Sequence, residues 1–476
     1  MKRKKFVLEK VTVTNYAAEG KSMAKHDGKV IFIEGAVPGD VVDVFVSTNK
    51  KDWGQGKATI FHTYAANRVA PFCIHFGTCG GCKWQMLPYA QQLQYKQQEV
   101  EQNLKRIGKV DLPQMLPIIG ADKTVSYRNK LEFTFSNKRY LTQQEINTLP
   151  PAEERMAEQG ALGFHVPRLF DKIIEINECH LMDNVNNQIR NYIRNFAAEN
   201  NCTYYDIKQH TGWLRNIIIR YCTTGELMVN ICINHKDDEM IHQLCNYILL
   251  KVPAISTLLY TINPKWNDTI YDLTPVVFMG KGYVLETLVA SKSGVAFNFK
   301  IGPKSFFQTN TKQAEKLYNI TNEFAALTGN EVVYDLYCGT GSIGIFVSPL
   351  AKKIIGVEVV EEAIADAKEN AKLNNIEHAH FFAGDVIKIC DDAFFEQHGK
   401  PDVVITDPPR AGMHEKLVIK LLQMAAPTIV YVSCNTATQA RDIALLSDKY
   451  KVVKMQPVDM FPHTHHIECV ALLHLK

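Results

Sequence analysis

Three groups of residues in this chain have the types and spacings that chemistry needs. The run Thr428-Ile429-Val430-Tyr431-Val432 is apolar and largely β-branched, reads as a buried parallel strand, and stops at Ser433-Cys434-Asn435. In a doubly wound sheet the carboxyl ends of the strands line the ligand crevice, so Cys434 is a candidate nucleophile. A lone cysteine is more often a buried, inert thiol; the company of this one argues otherwise. Upstream stands Thr406-Asp407-Pro408-Pro409-Arg410, whose two prolines stiffen the loop and restrict the direction of Asp407. Downstream, the stretch Asp459 to Glu468 ends in a carboxylate suited to general-base work. His463, His465 and His466 lack the cysteine or carboxylate spacing of a metal site and read as packing or supporting residues.

The second group is a strand, a glycine-rich turn and a helix start, Val332 to Gly344, in which Gly339, Gly341 and Gly344 complete a G-x-G-x-x-G pattern. Such a turn lets the backbone approach an adenosine-bearing cofactor closely. A second strand ends at Glu358, about 20 residues on, where a carboxylate accepts from ribose hydroxyls. A third ends at Gly384-Asp385, whose carboxylate can accept from an adenine amino group. The third group is Cys73, Cys79 and Cys82, at C-x5-C-x2-C, with glycines that let thiolates converge. A closed site needs a fourth ligand. The downstream candidates are Cys179, Cys202, Cys222, Cys232 and Cys245, of which Cys202, Cys222 and Cys232 stand in apolar or strand-like settings and read as core. Cys179, at a polar boundary in Asn177-Glu178-Cys179-His180, is chosen. Four cysteines serve either zinc or an iron–sulfur cluster; zinc ribbons pair two short C-x2-C units, so the spacing leans towards iron–sulfur.

These residues need elements to position them. A chain of 476 residues makes two or three domains, and 46% hydrophobic with 22% charged content is that of a soluble globular protein. No signal peptide and no window of transmembrane length is visible, so the expected location is the cytosol, where twelve cysteines are free, metal-bound or catalytic. A net charge of +3 permits a nucleic-acid partner without arguing for one. Residues 1–62 read as a small antiparallel barrel with strands at Val7–Val13, Lys29–Ile33 and Val41–Val46, and with Lys2 to Lys5, Lys50 and Lys51 at its edges. Residues 63–295 read as a central α+β domain. Within it Tyr89–Ile107 is a long exposed helix closed by Gly108, part of a helical linker over about 89–120, and Tyr127–Phe135 is a strand carrying two cations. Residues 296–476 alternate strands (Val332–Leu336, Lys353–Val357, His378–Ala383, Val403–Thr406, Thr428–Val432) with helices, which predicts a parallel sheet covered on both faces.

The barrel segment, from Val11-Thr12-Val13 to Ala36-Val37-Pro38-Gly39-Asp40, resembles a TRAM domain, an RNA-binding barrel. Asp335-x-Tyr337-Cys338-Gly339-x-Gly341, with Glu358 and Asp385, resembles S-adenosylmethionine-dependent methyltransferases. Phe306-Phe307-Gln308, the Asp407 loop, Ser433-Cys434-Asn435, and Phe461 to Thr464 with Glu468 complete a resemblance to the RNA uracil-5 methyltransferase family. The cysteine segment matches its iron–sulfur branch, which acts on 23S ribosomal RNA, so the resemblance covers nearly the whole chain. It implies a Rossmann-like class I methyltransferase domain behind an OB-like TRAM barrel and an α+β domain. A [4Fe-4S] cluster is implied on Cys73, Cys79, Cys82 and Cys179, with S-adenosylmethionine on Gln308, Tyr337, Ser342, Glu358, Asp385 and Asp407. It also implies that Cys434 adds to C6 of a uracil, that C5 then takes the methyl group, and that Glu468 removes the C5 proton. The expected partner is 23S ribosomal RNA, with no membrane and a monomeric protein. The alternatives are a tRNA uracil-5 methyltransferase and a non-catalytic RNA-binding metal-cluster adaptor. An amino-group methyltransferase is disfavoured, because Arg410 stands where those enzymes carry an aromatic residue.

Overall fold

The structure, a computed structural model, describes residues 6–111, 113–148, 160–167 and 169–476. The basic run Lys2 to Lys5 lies outside the described residues. The N-terminal strands are β1 (Phe6–Thr12), β2 (Asn15–Ala17), β3 (Lys21–His26), β4 (Lys29–Glu34), β5 (Val41–Asn49) and β6 (Trp53–Thr63). They form one sheet in the order β1-β5-β6-β4-β3-β2, curled around Val11, Ile31, Ile33, Val42, Val44 and Val46. Three strands were expected here and six are present. Those missed, β2, β3 and β6, are short or rich in Gly, Lys and Ser, and so lack a clean alternation.

Helix α1 (Tyr89–Asn103) runs into a π-helical turn, Leu104–Gly108. The expectation of an exposed helix is overturned: Gln92, Lys96, Val100 and Leu104 are buried. Strand β7 (Gln114–Met115) then joins the C-terminal sheet. The central region comprises β8 (Lys130–Ser136), α2 (Gln143–Thr148), β9 (Ala161–Val166), β10 (Leu169–Glu175), α3 (Val185–Glu199), β11 (Leu214–Tyr221), β12 (Leu227–Ile233), α4 (Asp238–Lys251), β13 (Thr257–Ile262) and β14 (Val276–Met279). Its sheet has the order β10-β9-β8-β11-β12-β13-β14. Phe133, Ile217, Ile219, Val229 and Ile231 pack from one face against Ile189, Ile193, Ile241 and Leu244 of α3 and α4.

A hairpin, β15 (Val284–Val289) with β16 (Ala296–Ile301), leads to α5 (Thr311–Ala325). Then follow β17 (Val332–Leu336), α6 (Ser342–Val347), β18 (Lys353–Glu358), α7 (Glu361–Leu373), β19 (Ala379–Ala383), α8 (Val386–Ile389), α9 (Asp392–His398), β20 (Val403–Thr406), α10 (Glu415–Met424), β21 (Thr428–Ser433), α11 (Thr436–Leu446), β22 (Tyr450–Val458) and β23 (Glu468–Leu475). The eight-stranded sheet runs β19-β18-β17-β20-β21-β23-β22-β7. Strands β17 to β21 are mutually parallel, whereas β23 is antiparallel to both β21 and β22. The sheet is therefore mixed rather than wholly parallel, with apolar layers on both faces. Among the described residues no helix is long and apolar enough to cross a membrane.

Candidate active site

The five parallel strands deliver their carboxyl ends to one edge, as the right-handed crossovers of this topology require. Tyr337 follows β17, Glu358 closes β18, Asp385 follows β19, Asp407 follows β20 and Cys434 follows β21. The cofactor and nucleophile candidates that follow these strands thus share one edge of the sheet. Gly339 and Gly341 adopt φ of 52° and 76°, and Tyr337 a φ of 61°, so the loop needs left-handed backbone at three points. A Cβ on Gly339 would meet nothing within 4 Å, whereas one on Gly341 would strike the Phe381 ring at 2.9 Å. The loop thus packs tightly on its protein side at Gly341 and is open at Gly339, which fits the close approach of a ligand.

Side chains set the loop's shape. Gly344 N–H donates to Asp335 Oδ2 at 2.9 Å, while burial pushes the Asp335 carboxyl up to about 7. Glu358 accepts from Gly339 N–H at 3.3 Å and from Val359 and Val360 N–H at 2.8 and 3.1 Å, joining the loop to the start of α7. Asp385 caps α8 through Ile387 N–H at 3.0 Å. Ser342 pairs with Tyr318 Oη of α5 at 2.9 Å. Gln308 is buried, and its backbone carbonyl accepts from Asn129 Nδ2 at 2.9 Å. Tyr318 was not foreseen: it lies in an ordinary amphipathic helix, where no local pattern marks it.

Strand β23 brings the last candidate into place. Ser433 pairs with Cys469 across the antiparallel β21–β23 ladder, so Cys434 and Glu468 are neighbours at its end. Cys434 is half-buried. Burial, and then the carboxylates of Glu468 and Asp407, push its thiol up to about 11, with Arg410 opposing. Glu468 is 4% exposed, and burial first, then Asp407, hold its carboxyl well above the ordinary range, again against Arg410. Burial likewise raises Asp407. One Glu468 oxygen, Oε2, is buried without a hydrogen-bond partner. Arg410 is steered by its Nη2 on His466, 3.0 Å from Nδ1, and its carbonyl accepts from Asn435 Nδ2 at 3.0 Å. Asn435 also caps α11 through Ala437 N–H. Cys338, the other cysteine near this edge, is 6% exposed. Of the three histidines, His466 contacts Arg410, while His463 lies buried against Gln92, and burial pushes it down to about 4.

The four candidate ligand cysteines also meet. Cys73, Cys79, Cys82 and Cys179 line one cavity of about 570 Å³, together with His75, Arg128 and Thr309. All are free thiols, and burial pushes Cys82 up to about 12. Among the described residues, however, no group of three or more His, Cys, Asp or Glu side chains forms a metal-ion site. The convergence is present and closed coordination of an ion is not. Four cysteine sulfurs are a donor set that serves either zinc or an iron–sulfur cluster, and the shared cavity by itself does not choose between them.

Residues 274–476 match the tRNA (Uracil-5-)-methyltransferase family. An uncharacterized RNA methyltransferase of Bacteroides thetaiotaomicron is 51% identical over 97% of this chain and 100% of its own length. One from Porphyromonas gingivalis is 47% identical over 97% and 98%. Among solved structures, the tRNA (uracil-54, C5)-methyltransferase of Pyrococcus abyssi, in complex with S-adenosyl-L-homocysteine, superposes with a TM-score of 0.71 at 26% identity, over 99% of this chain and 100% of that one. With its crevice, its glycine loop and these relatives, the chain belongs to the RNA uracil-5 methyltransferase family and has the fold of the S-adenosylmethionine-dependent enzymes.

Proposed function

We propose that the protein methylates C5 of a uridine in 23S ribosomal RNA, with Cys434 as nucleophile and Glu468 as base. The observation that carries this reading is that Cys434 stands next to a buried Glu468 whose Oε2 has no partner, one residue beyond the Ser433–Cys469 pair at the carboxyl edge of a methyltransferase sheet. C5 of uracil is a weak nucleophile. The Cys434 thiolate bonds to C6 and sends electron density to C5. Gln308, Tyr337, Ser342, Glu358, Asp385 and Asp407 would hold S-adenosylmethionine, which would supply an electrophilic methyl group: C5 would take the methyl as the methyl–sulfur bond breaks, leaving neutral S-adenosylhomocysteine. Glu468 takes the proton from C5, the C6–S bond breaks, and the thiolate returns. Arg410 offsets the negative charge that Cys434, Asp407 and Glu468 place together. Cys73, Cys79, Cys82 and Cys179 would hold a [4Fe-4S] cluster with a structural role, since methyl transfer needs no redox step.

Residues 1–62 we read as a TRAM-type RNA-binding barrel, 63–295 as the cluster-bearing domain and 296–476 as the catalytic domain of a cytoplasmic monomer. A second reading, tRNA as substrate, is favoured by the full-length likeness to a tRNA enzyme. One experiment separates them. The protein is incubated with labelled S-adenosylmethionine and, separately, 23S ribosomal RNA and tRNA from cells lacking the gene. Label at C5 of a ribosomal uridine is expected; label confined to tRNA favours the second reading, and label on a base other than uracil rejects both.

A further inference from the structure

The central sheet carries a loop that the active site does not explain. Residues 263–273 lie over one face of the sheet, anchored by Ile270 and Leu273 on Ile218 and Cys232. Arg215 of β11 is 1% exposed and gives its guanidinium to this loop. Nη1 donates to the carbonyls of Asn263 and Lys265, and Nη2 to the Asn267 carbonyl at 2.9 Å and to Asp268 Oδ1 at 3.0 Å. Asn263 Nδ2 adds a bond to the Asn267 carbonyl at 2.9 Å. Burying an arginine is costly, and the four acceptors that the loop supplies to its two terminal nitrogens offset part of that cost, although its Nε is left without a partner.

What the loop displays is a pair of bare aromatic rings. Trp266 is 73% exposed and Tyr271 64% exposed. The indole stacks on His210 with centroids 4.7 Å apart and planes 8° apart, so one face is backed and the other is free. Lys265 precedes Trp266 in the chain, and its ammonium is bound to Asp272 and to Thr269 Oγ1. The loop continues towards the catalytic crevice: Lys304 Nζ donates to the Tyr271 carbonyl at 2.9 Å. Two residues on, Phe306 is 68% exposed, with its carbonyl bonded by Thr340 of the glycine loop. Exposed aromatic rings, one of them backed by a second ring, that alternate in sequence with Lys265 and Lys304 and run to the edge of an RNA-modifying site, are features that hold single-stranded nucleic acid.

We propose that the 263–273 loop is a stacking platform for an unpaired base of the substrate RNA, lying outside the target uridine, with Trp266 as its anchor. The proposal rests on RNA being the substrate but not on which RNA. Of the four tryptophans, Trp84 and Trp213 are buried and Trp53 is 39% exposed, so Trp266 is the most open fluorophore. The probes are 23S ribosomal RNA and tRNA from cells lacking the gene, with duplex poly(A)·poly(U) as the control without unpaired bases. The RNA that is methylated should quench a fluorescence component present in wild type and absent in Trp266→Phe, and the duplex should not. Trp266→Ala should raise KM for RNA by about 5- to 150-fold, the span of base–aromatic stacking. It should leave kcat and S-adenosylmethionine binding unchanged, and Trp266→Phe should restore most of the affinity. An unchanged KM in Trp266→Ala, or no Trp266 quench, overturns the proposal. So does a quench seen only with whole ribosomal subunits while KM on naked RNA is unchanged, which would assign the loop to a protein partner. If wild type methylates neither RNA, the substrate reading fails, and the quench by total cellular RNA still decides the platform.

Discussion

Cys434 and Glu468 have conflicting needs. The thiol must ionise beside two carboxyl groups that disfavour its charge, and the carboxylate must be ionised when the C5 proton is ready to leave. With the thiol pushed up to about 11, its ionised fraction rises about tenfold per pH unit across the neutral range. Covalent capture of RNA containing 5-fluorouridine should therefore accelerate steadily from pH 7 to 9; a flat profile would mean that bound RNA, not pH, sets the thiolate. Cys434→Ala should form no adduct. Glu468→Gln should still form the fluorouridine adduct, because the amide removes only the proton acceptor and leaves the thiol in place. With ordinary RNA the same variant should stall as a methylated protein–RNA adduct visible on a denaturing gel. Normal turnover by Glu468→Gln would assign the base elsewhere.

At the scale of elements, the loop that leads into β23 is braced by helix α1. Lys96 and Asp459 are both fully buried and paired at 2.6 Å. Tyr89 Oη donates to the other Asp459 oxygen at 2.8 Å, and Gln92 accepts from His463 N–H at 2.9 Å. Removing one partner of such a pair strands a buried charge, so Lys96→Met should destabilise the fold by about 3–5 kcal/mol, and Lys96→Met with Asp459→Leu should recover much of that. Urea unfolding checks both, and a double variant no better than the single would show that the ion pair is not the source. This brace was illegible in the sequence for a physical reason. Lys96 looks solvated by type, and its partner stands 363 residues away. The strands β17 to β21 were legible because burial on both faces writes a continuous apolar run. The β22–β23 hairpin was not marked as strand, although Glu468 itself was singled out by its motif. Asp385 and Glu358 were found as strand-end acids, but their work as backbone caps needs coordinates.

Across the whole molecule, the cysteine segment, α1 and the catalytic loop form one mechanical unit. Lys83 and Trp84, directly after Cys82, donate their N–H groups to the His463 carbonyl at 2.7 and 3.0 Å. Tyr127 Oη reaches the Pro462 carbonyl at 3.0 Å, and Arg128, which lines the cysteine cavity, lies over the Phe461 ring at 5.3 Å. Whatever fixes Cys82 therefore also fixes the chain five residues before Glu468. Protein purified without oxygen should be brown and contain iron and sulfide; stoichiometric zinc in place of iron would reject the cluster. Stripping the group with chelator and oxidant should raise amide hydrogen exchange in residues 459–467 and 83–96, because those N–H groups lose their rigid partner. Exchange in β17 and β18, whose hydrogen bonds lie within the parallel sheet, should stay as it was. If stripping left the 459–467 segment as protected as before, the cysteine cavity and the catalytic loop would be independent, and the cluster would serve the central domain alone.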